Sequence, residues 1–293
     1  MTTIKNLAFK GGGVLGIAYA GAVEILEEKK ILDTVERVTG TSAGAVIAAL
    51  LSLRYNAADI KTIVNKTNFK SYEDGWNPLR MIWKFGLYKG DTFLNWMHDQ
   101  ITAKGLKKNA TFTDFKNAGM RDLYVFATDL NQKCLKEFSF RSTPSAQVAE
   151  AVRASMSVPL FFQAFQFSNG IPDNHIYVDG GIVYNFPITL FDEVGENKET
   201  LGLFLENVHK KPMASELKHG QLITYVKDLF DTMGDAQEFD FDKDPSEKER
   251  TVIIDNLAIS YTDFGIPDEK KQGLFESGKK YTREFLDKRT DLV

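Results

Sequence analysis

The chain carries one cysteine, Cys134, in 293 residues. A single thiol cannot form an intrachain disulfide and cannot supply a thiol metal cluster. Histidine is nearly as scarce: His98, His175, His209 and His219 are the four. None belongs to a His-Glu-x-x-His pair and their flanks differ, so the pattern does not call for zinc, and no metal is expected. Positive charge is not in excess either. The net charge of −4 removes the electrostatic footprint of a nucleic-acid binder, and no zinc-finger or basic-region pattern is present. Long apolar runs are missing as well: the longest, Ala43 to Leu51, is about half of what a bilayer requires. Met1 to Asn6 meets glycine-rich sequence before any apolar run of signal-peptide length. The expectation is a soluble chain, cytoplasmic and at most peripheral at membranes. There is no internal repeat, low-complexity tract or Pro/Gly/Ser linker, so one domain over 1–293 is expected. With 43% hydrophobic residues, the chain has enough apolar material for a large core.

What is present is organised around Val38 to Leu53. Gly40-Thr41-Ser42-Ala43-Gly44 matches Gly-x-Ser-x-Gly. A short strand at Val35 to Val38 precedes it, and a helix from Ala45 to Leu53 follows. A serine on such a sharp strand-to-helix turn is exposed to substrate, and its neighbours must be small to fit the turn. The helix also opens its N-terminal amides beside the serine. A small-residue turn in which Ser42 merely caps the helix is the plain alternative.

The rest of the chain supports an α/β reading. Ile4 to Phe9 reads as a strand, and Val14 to Ile31 as an amphipathic helix with Ile17, Ala18, Gly21, Ala22, Ile25 and Leu26 on one face. Further strands are expected at Leu123 to Ala127, Ile176 to Val178, Leu201 to Leu205 and Thr251 to Ile254. Helices are expected at Asn56 to Asn68, Ala146 to Ser155 and Leu274 to Leu286. Short strands alternating with helices imply a three-layer α/β/α fold on a largely parallel sheet.

Lys10-Gly11-Gly12-Gly13-Val14-Leu15-Gly16 also fits Gly-x-Gly-x-x-Gly, so a dinucleotide-binding oxidoreductase has to be weighed. Its ribose-binding acid should follow the second strand, whereas Asp33 precedes it. The competing reading is an oxyanion hole at Gly11, Gly12 and Gly13, where backbone N–H groups approach a substrate oxygen with no Cβ in the way. Asp179-Gly180-Gly181 ends a strand and can share a sheet edge with Ser42, although Asp-Gly is also common turn chemistry. His175 lies near Asp179 in sequence and competes as a base. Asp240-x-Asp242-x-Asp244 begins like a calcium loop, but Pro245 and Thr251 stand where glycine and glutamate are required.

Together, Lys10-Gly-Gly-Gly13…Gly16, Gly40-Thr-Ser-Ala-Gly44 and Asp179-Gly-Gly181, in that order, resemble the patatin-like phospholipase family. Ala127-Thr128-Asp129-Leu130, Ala151-x-x-Ala154-Ser155…Pro159 and Asn185-x-Pro187 agree with it, so that the resemblance covers about residues 4–187. It implies a lipid acyl hydrolase with Ser42 as nucleophile, Asp179 as its base, and backbone amides in the glycine loop as the oxyanion site. No cofactor is implied, and the expected partner is lipid at a membrane or micelle surface. One departure stands out. Many members carry Arg or Lys where this chain has Leu15, so the oxyanion site rests on backbone amides unless Lys10 adds charge. A non-catalytic lipid-binding or regulatory protein of the same fold is the alternative. Trp76 to Lys89, rich in apolar and basic residues, is read as a membrane-facing lid that, placed on a helix, puts Leu79, Ile82, Trp83 and Leu87 on one face, or else as a cap helix packed on the core.

Overall fold

A computed structural model describes residues 2–193, 195–209, 221, 222, 224–226, 228, 229, 232, 233, 241, 244–289 and 291. In chain order it runs β1 (Asn6–Phe9), α1 (Ile17–Glu28), β2 (Arg37–Thr41), α2 (Ala43–Ser52), α3 (Ala57–Lys66), α4 (Arg80–Lys84), β3 (Gly86–Tyr88), α5 (Asp91–Ala103), α6 (Phe112–Asn117) and β4 (Asp122–Asp129). It continues with β5 (Cys134–Ser139), α7 (Val148–Ser155), β6 (Leu160–Phe162), β7 (Tyr177–Asp179), β8 (Thr200–Glu206), α8 (Pro245–Glu249), β9 (Thr251–Asp255) and α9 (Asp268–Lys288). Among the described residues, no helix is long and apolar enough to cross a membrane.

The main sheet has the order β5-β4-β2-β1-β8-β9. Its five strands from β4 to β9 are mutually parallel, while β5 lies antiparallel on β4. Helices cover both faces, as the alternating pattern predicts. Strands β1 and β8 are buried along their whole length, because a parallel strand covered on both sides has no solvent face to alternate with. Helix α2 is likewise buried except at Val46, which is why its sequence is apolar nearly all round. Helix α9 packs lengthwise on α1, where Gly278 and Gly21 admit the partner backbone: a Cβ on Gly278 would lie 1.8 Å from the Ala18 carbonyl oxygen.

Several boundaries differ from expectation for local reasons. Strand β2 extends through Gly40 and Thr41 because these pair with Val125 and Phe126 of β4. Pairing, which propensity does not see, also makes strands of Cys134–Ser139 and of Gly86–Tyr88. The first turn after the glycine loop is 3₁₀, so α1 begins only at Ile17. Helix α3 starts after Asn56, whose side chain accepts the Asp59 amide at 2.8 Å.

The reading of Trp76 to Lys89 as one helix is corrected. Only Arg80–Lys84 is helical. Leu87, placed on the apolar helical face by spacing, is instead buried in β3, which pairs with β6.

Candidate active site

Strands β1 and β2 both deliver their following loops to the carboxyl edge of the sheet, where ligands bind in such folds. The loop after β2 is Ser42, with φ 52° and ψ −123°. A positive φ in a residue other than glycine costs of order 1–3 kcal/mol and persists only where surroundings enforce it. Here the enforcement is visible. The Ser42 amide donates to Ser155 Oγ at 2.8 Å, the Thr41 hydroxyl donates to the Tyr184 carbonyl at 2.8 Å, and the flanking glycines let the turn close. A Cβ on Gly40 would sit 2.3 Å from the Gly44 backbone, and one on Gly44 would sit 2.3 Å from the Phe9 carbonyl oxygen. The small residues of the motif are therefore a packing requirement of the elbow, not a mere flexibility.

Asp179 reaches the same point by a route the sequence did not suggest. Strand β7 is antiparallel to β4, not part of the parallel set, pairing Tyr177 with Asp129 and Asp179 with Ala127. Strand β5 already holds the other edge of β4 over this stretch, so β7 takes up the edge that β2 vacates at Thr41, opposite Phe126. The two strands run head-on along one edge of β4, and Ser42 and Asp179 stand where they meet.

Asp179 is fully buried. Its backbone is pinned: the amide donates to the Ser157 carbonyl at 2.9 Å, and its own carbonyl accepts the Thr128 hydroxyl at 2.9 Å. Oδ1 accepts the Gly181 amide at 2.7 Å, while Oδ2 is buried with no hydrogen-bond partner among the described residues. Burial raises the carboxyl pKa to about 7, against smaller lowering effects from the Ser42 hydroxyl and the Gly181 amide. Ser42 Oγ is thus within interaction range of the carboxyl. In this conformation the hydroxyl donates to Met156 Sδ at 3.6 Å, and Oδ2 has no donor among the described residues.

The three loop glycines differ in state. The Gly11 amide donates to the Asn185 carbonyl at 2.9 Å, so it is already committed and cannot serve an oxyanion; on this point the expectation is narrowed. Val14 donates to the Tyr261 carbonyl and Leu15 to the Gly12 carbonyl. The Gly12 and Gly13 amides have no acceptor among the described residues. The buried Lys10 Nζ donates to the Leu205 carbonyl at 3.0 Å and lies over the Phe204 ring. Leu15 is buried in the core.

Beside Ser42 opens an apolar slot. Ala43, Val46, Ile47 and Leu50 line it from α2, together with Phe93, Met156 and Gly13. From Ala43 to Leu50 the helix rises about 10 Å, so the slot runs away from the serine along one helical stripe. No charged residue lines it.

The competing residues lie elsewhere. His175 Nδ1 is hydrogen-bonded to Asp129 Oδ2 at 2.7 Å, and its backbone amide to Asp173. It stands four residues before Asp179 on the far side of the β7 pairing, roughly 13 Å away along an extended chain. Asp129, Asp173 and His175 bring ligand-type atoms together. The acids are already engaged by the Asn131 and Gln132 amides, Lys136 and Tyr177. His98 lies on α5, and His209 is an exposed neighbour of Asp255. His219, Asp240 and Asp242 lie outside the described residues, while Asp244 caps α8 through the Ser246 and Glu247 amides. Asp33 is exposed and precedes β2, at the amino edge of the sheet, which removes the dinucleotide reading. Sequence reasoning missed Ser155, Met156 and Asn185 as parts of the site; the Ala-x-x-Ala-Ser and Asn-x-Pro signals held them without indicating their contacts.

The patatin-like phospholipase family matches residues 7–192. A Bacillus subtilis relative, the uncharacterized protein YqhO, is 33% identical over 299 aligned positions, covering 95% of this chain and 96% of its own. A probable lipid hydrolase, 463L of Invertebrate iridescent virus 6, is 25% identical over 198 positions, covering 64% of this chain and 62% of its own. Among solved structures, VipD from Legionella pneumophila superposes with a TM-score of 0.71 at 16% identity, over 98% of this chain and 67% of its own. The sheet order, the elbow and these matches agree: the chain belongs to the patatin-like phospholipase family, a family of lipid hydrolases.

Proposed function

We propose that the protein hydrolyses acyl esters of phospholipids or lysophospholipids through a Ser42–Asp179 dyad and an acyl-enzyme intermediate. The observation that carries this reading is the strained serine beside a fully buried carboxylate whose Oδ2 has no partner among the described residues. A buried acceptor without a donor is costly to maintain, and such a vacancy next to a nucleophile suits a base. Ser42 Oγ attacks the ester carbonyl carbon as its proton passes to Asp179 Oδ2. The carbonyl oxygen becomes an oxyanion stabilised by the Gly12 and Gly13 amides and by the N-terminus of α2. The C–O bond to the alcohol then breaks, and Asp179 returns the proton to that leaving oxygen. Water, deprotonated by Asp179, attacks the acyl-serine, and Ser42 leaves with the proton, releasing the fatty acid. The apolar slot suits the acyl chain. Esters have better leaving groups than amides, so a carboxylate raised to about 7 is a sufficient base.

The test is labelling and substitution in one assay. A fluorophosphonate probe should modify Ser42, and Ser42→Ala should lower lysophospholipid turnover by on the order of 10⁶. Asp179→Asn should be folded yet nearly inactive, and His98→Gln, His175→Gln and His209→Gln should keep most activity. Loss of activity in His175→Gln equal to that in Asp179→Asn would overturn the dyad in favour of a histidine base.

A further inference from the structure

The chain from Gly75 to Lys89 holds the densest group of exposed large apolar side chains among the described residues. Trp76, Leu79, Ile82, Trp83 and Phe85 are each at least half exposed, Trp83 to 77%. Exposure on this scale within ten residues is not background, since single exposed apolar residues are ordinary but a contiguous patch marks a contact surface. The patch is not on a loose loop. The Lys89 amide donates to the Asp74 carbonyl and the Asn77 amide to the Leu87 carbonyl, and the Asp74 carboxylate accepts the Gly90 and Thr92 amides at 2.6 and 2.8 Å. Buried Arg153 donates to the Lys89 and Gly90 carbonyls, and Arg80 reaches across to the Gly75 and Leu87 carbonyls. Met81 packs inward on the core. The loop is fastened at both ends with its apolar side chains outward.

We propose that this loop is an interfacial anchor that seats the protein on the surface of an anionic lipid membrane. Three observations select a membrane over another protein. First, no acid occurs between Asp74 and Asp91, whereas Arg80, Lys84 and Lys89 do, and neither Lys84 nor Lys89 has an acidic partner among the described residues. Tryptophan with flanking cations is the composition of a membrane-interface segment. Second, a two-fold contact with another copy of this chain meets itself, which would set these uncompensated cations against each other. Third, the loop is inserted between the two stretches that wall the acyl slot, Thr67 to Tyr72 before it and Phe93 and Trp96 after it. Anchoring it brings the slot to the lipid surface. This deepens the acyl-hydrolase reading by naming the surface at which the substrate is met.

Binding is tested without turnover, in the full chain carrying Ser42→Ala, by sedimentation with vesicles of phosphatidylcholine alone or mixed with phosphatidylglycerol. The protein should partition onto the anionic vesicles and less onto neutral ones, with a loss at high salt. At roughly five-fold per cation near an anionic surface, Lys84→Gln with Lys89→Gln should weaken partitioning onto the anionic vesicles by about thirty-fold. Ile82→Ser with Trp83→Ser should weaken it on both compositions. All four residues are exposed, so circular dichroism should be unchanged, and hydrolysis of a soluble short-chain ester in the Ser42 background should be preserved. No partitioning by the parent chain, or equal partitioning by the lysine variant, overturns the anchor. So does a dimer, seen by sedimentation velocity without lipid, that Ile82→Ser with Trp83→Ser dissociates, because the face then belongs to a second copy. Vesicle binding with no ester hydrolysis leaves the anchor standing and sinks the hydrolase reading. Hydrolysis of soluble esters without vesicle binding does the reverse.

Discussion

At the scale of single residues, Asp179 links the site to pH. Its carboxyl is raised from an ordinary 3.8 to about 7 by burial. In the proposed dyad Asp179 acts only when ionised, so kcat/KM should rise with pH to a midpoint near 7, read from a rate profile on a soluble ester. The same shift bears on stability. Below about pH 4 the carboxyl is neutral in folded and unfolded chains alike. Between about 4 and 7 the unfolded chain ionises while the folded one holds its proton, so this group withdraws stability across that window and the loss remains above it. Asp179→Asn, which keeps the shape and cannot ionise, should therefore gain in Tm over the parent at pH 8.5 and show a smaller difference at pH 4. Thermal unfolding at the two pH values checks this; an equal Tm difference at both would mean that the buried charge is not what costs the parent stability. Ser42 and Asp179 were legible in the sequence as residue types in motifs. That Gly11 is committed to Asn185 and that Lys10 Nζ is bound to the Leu205 carbonyl were not, because both depend on partners more than 170 residues distant.

At the scale of elements, two arrangements build the candidate site. Strands β2 and β7 meet end to end along β4, and α2 offers one stripe to the apolar slot. A parallel-sheet argument places the Asp179 strand end at the right edge, but the strand runs the other way; register with Ala127, not strand direction, brings the carboxylate to the serine. Along α2 the slot-lining residues recur at helical spacing, and Val46 alone among the helix residues is only half-buried. Val46→Phe should fill the slot near its mouth and lower turnover of a palmitoyl ester at least ten-fold relative to a butyryl ester, measured as a ratio in one preparation. An unchanged ratio would mean that the acyl chain lies elsewhere. The Trp76–Lys89 stretch teaches the converse lesson. Its composition was readable, but its shape was not: β3 exists only because β6 is there to pair with it, and that pairing turned Leu87 inward.

At the scale of the whole molecule, the family match ends at residue 192, yet the fold does not. Strand β8 is hydrogen-bonded along β1 in the middle of the sheet, β9 extends that side, and α9 covers α1. A chain cut after residue 192 lacks these three and leaves β1 as an open apolar edge, an aggregation hazard. It should be insoluble or lack near-ultraviolet circular dichroism; a soluble, cooperatively unfolding fragment would show that the carboxyl-terminal third is dispensable. The sequence by itself determined the α/β class, the elbow serine, the glycine loop and the Asp-Gly-Gly turn, because each depends on local constraints: alternation of apolar runs, the smallness a sharp turn demands, and the chemistry of a few side chains. Only the tertiary structure decided which glycine amides and which carboxylate oxygen are without a partner among the described residues, and which way β7 runs. Those depend on pairing and burial between segments far apart in the chain, and no local pattern encodes the order in which strands share an edge.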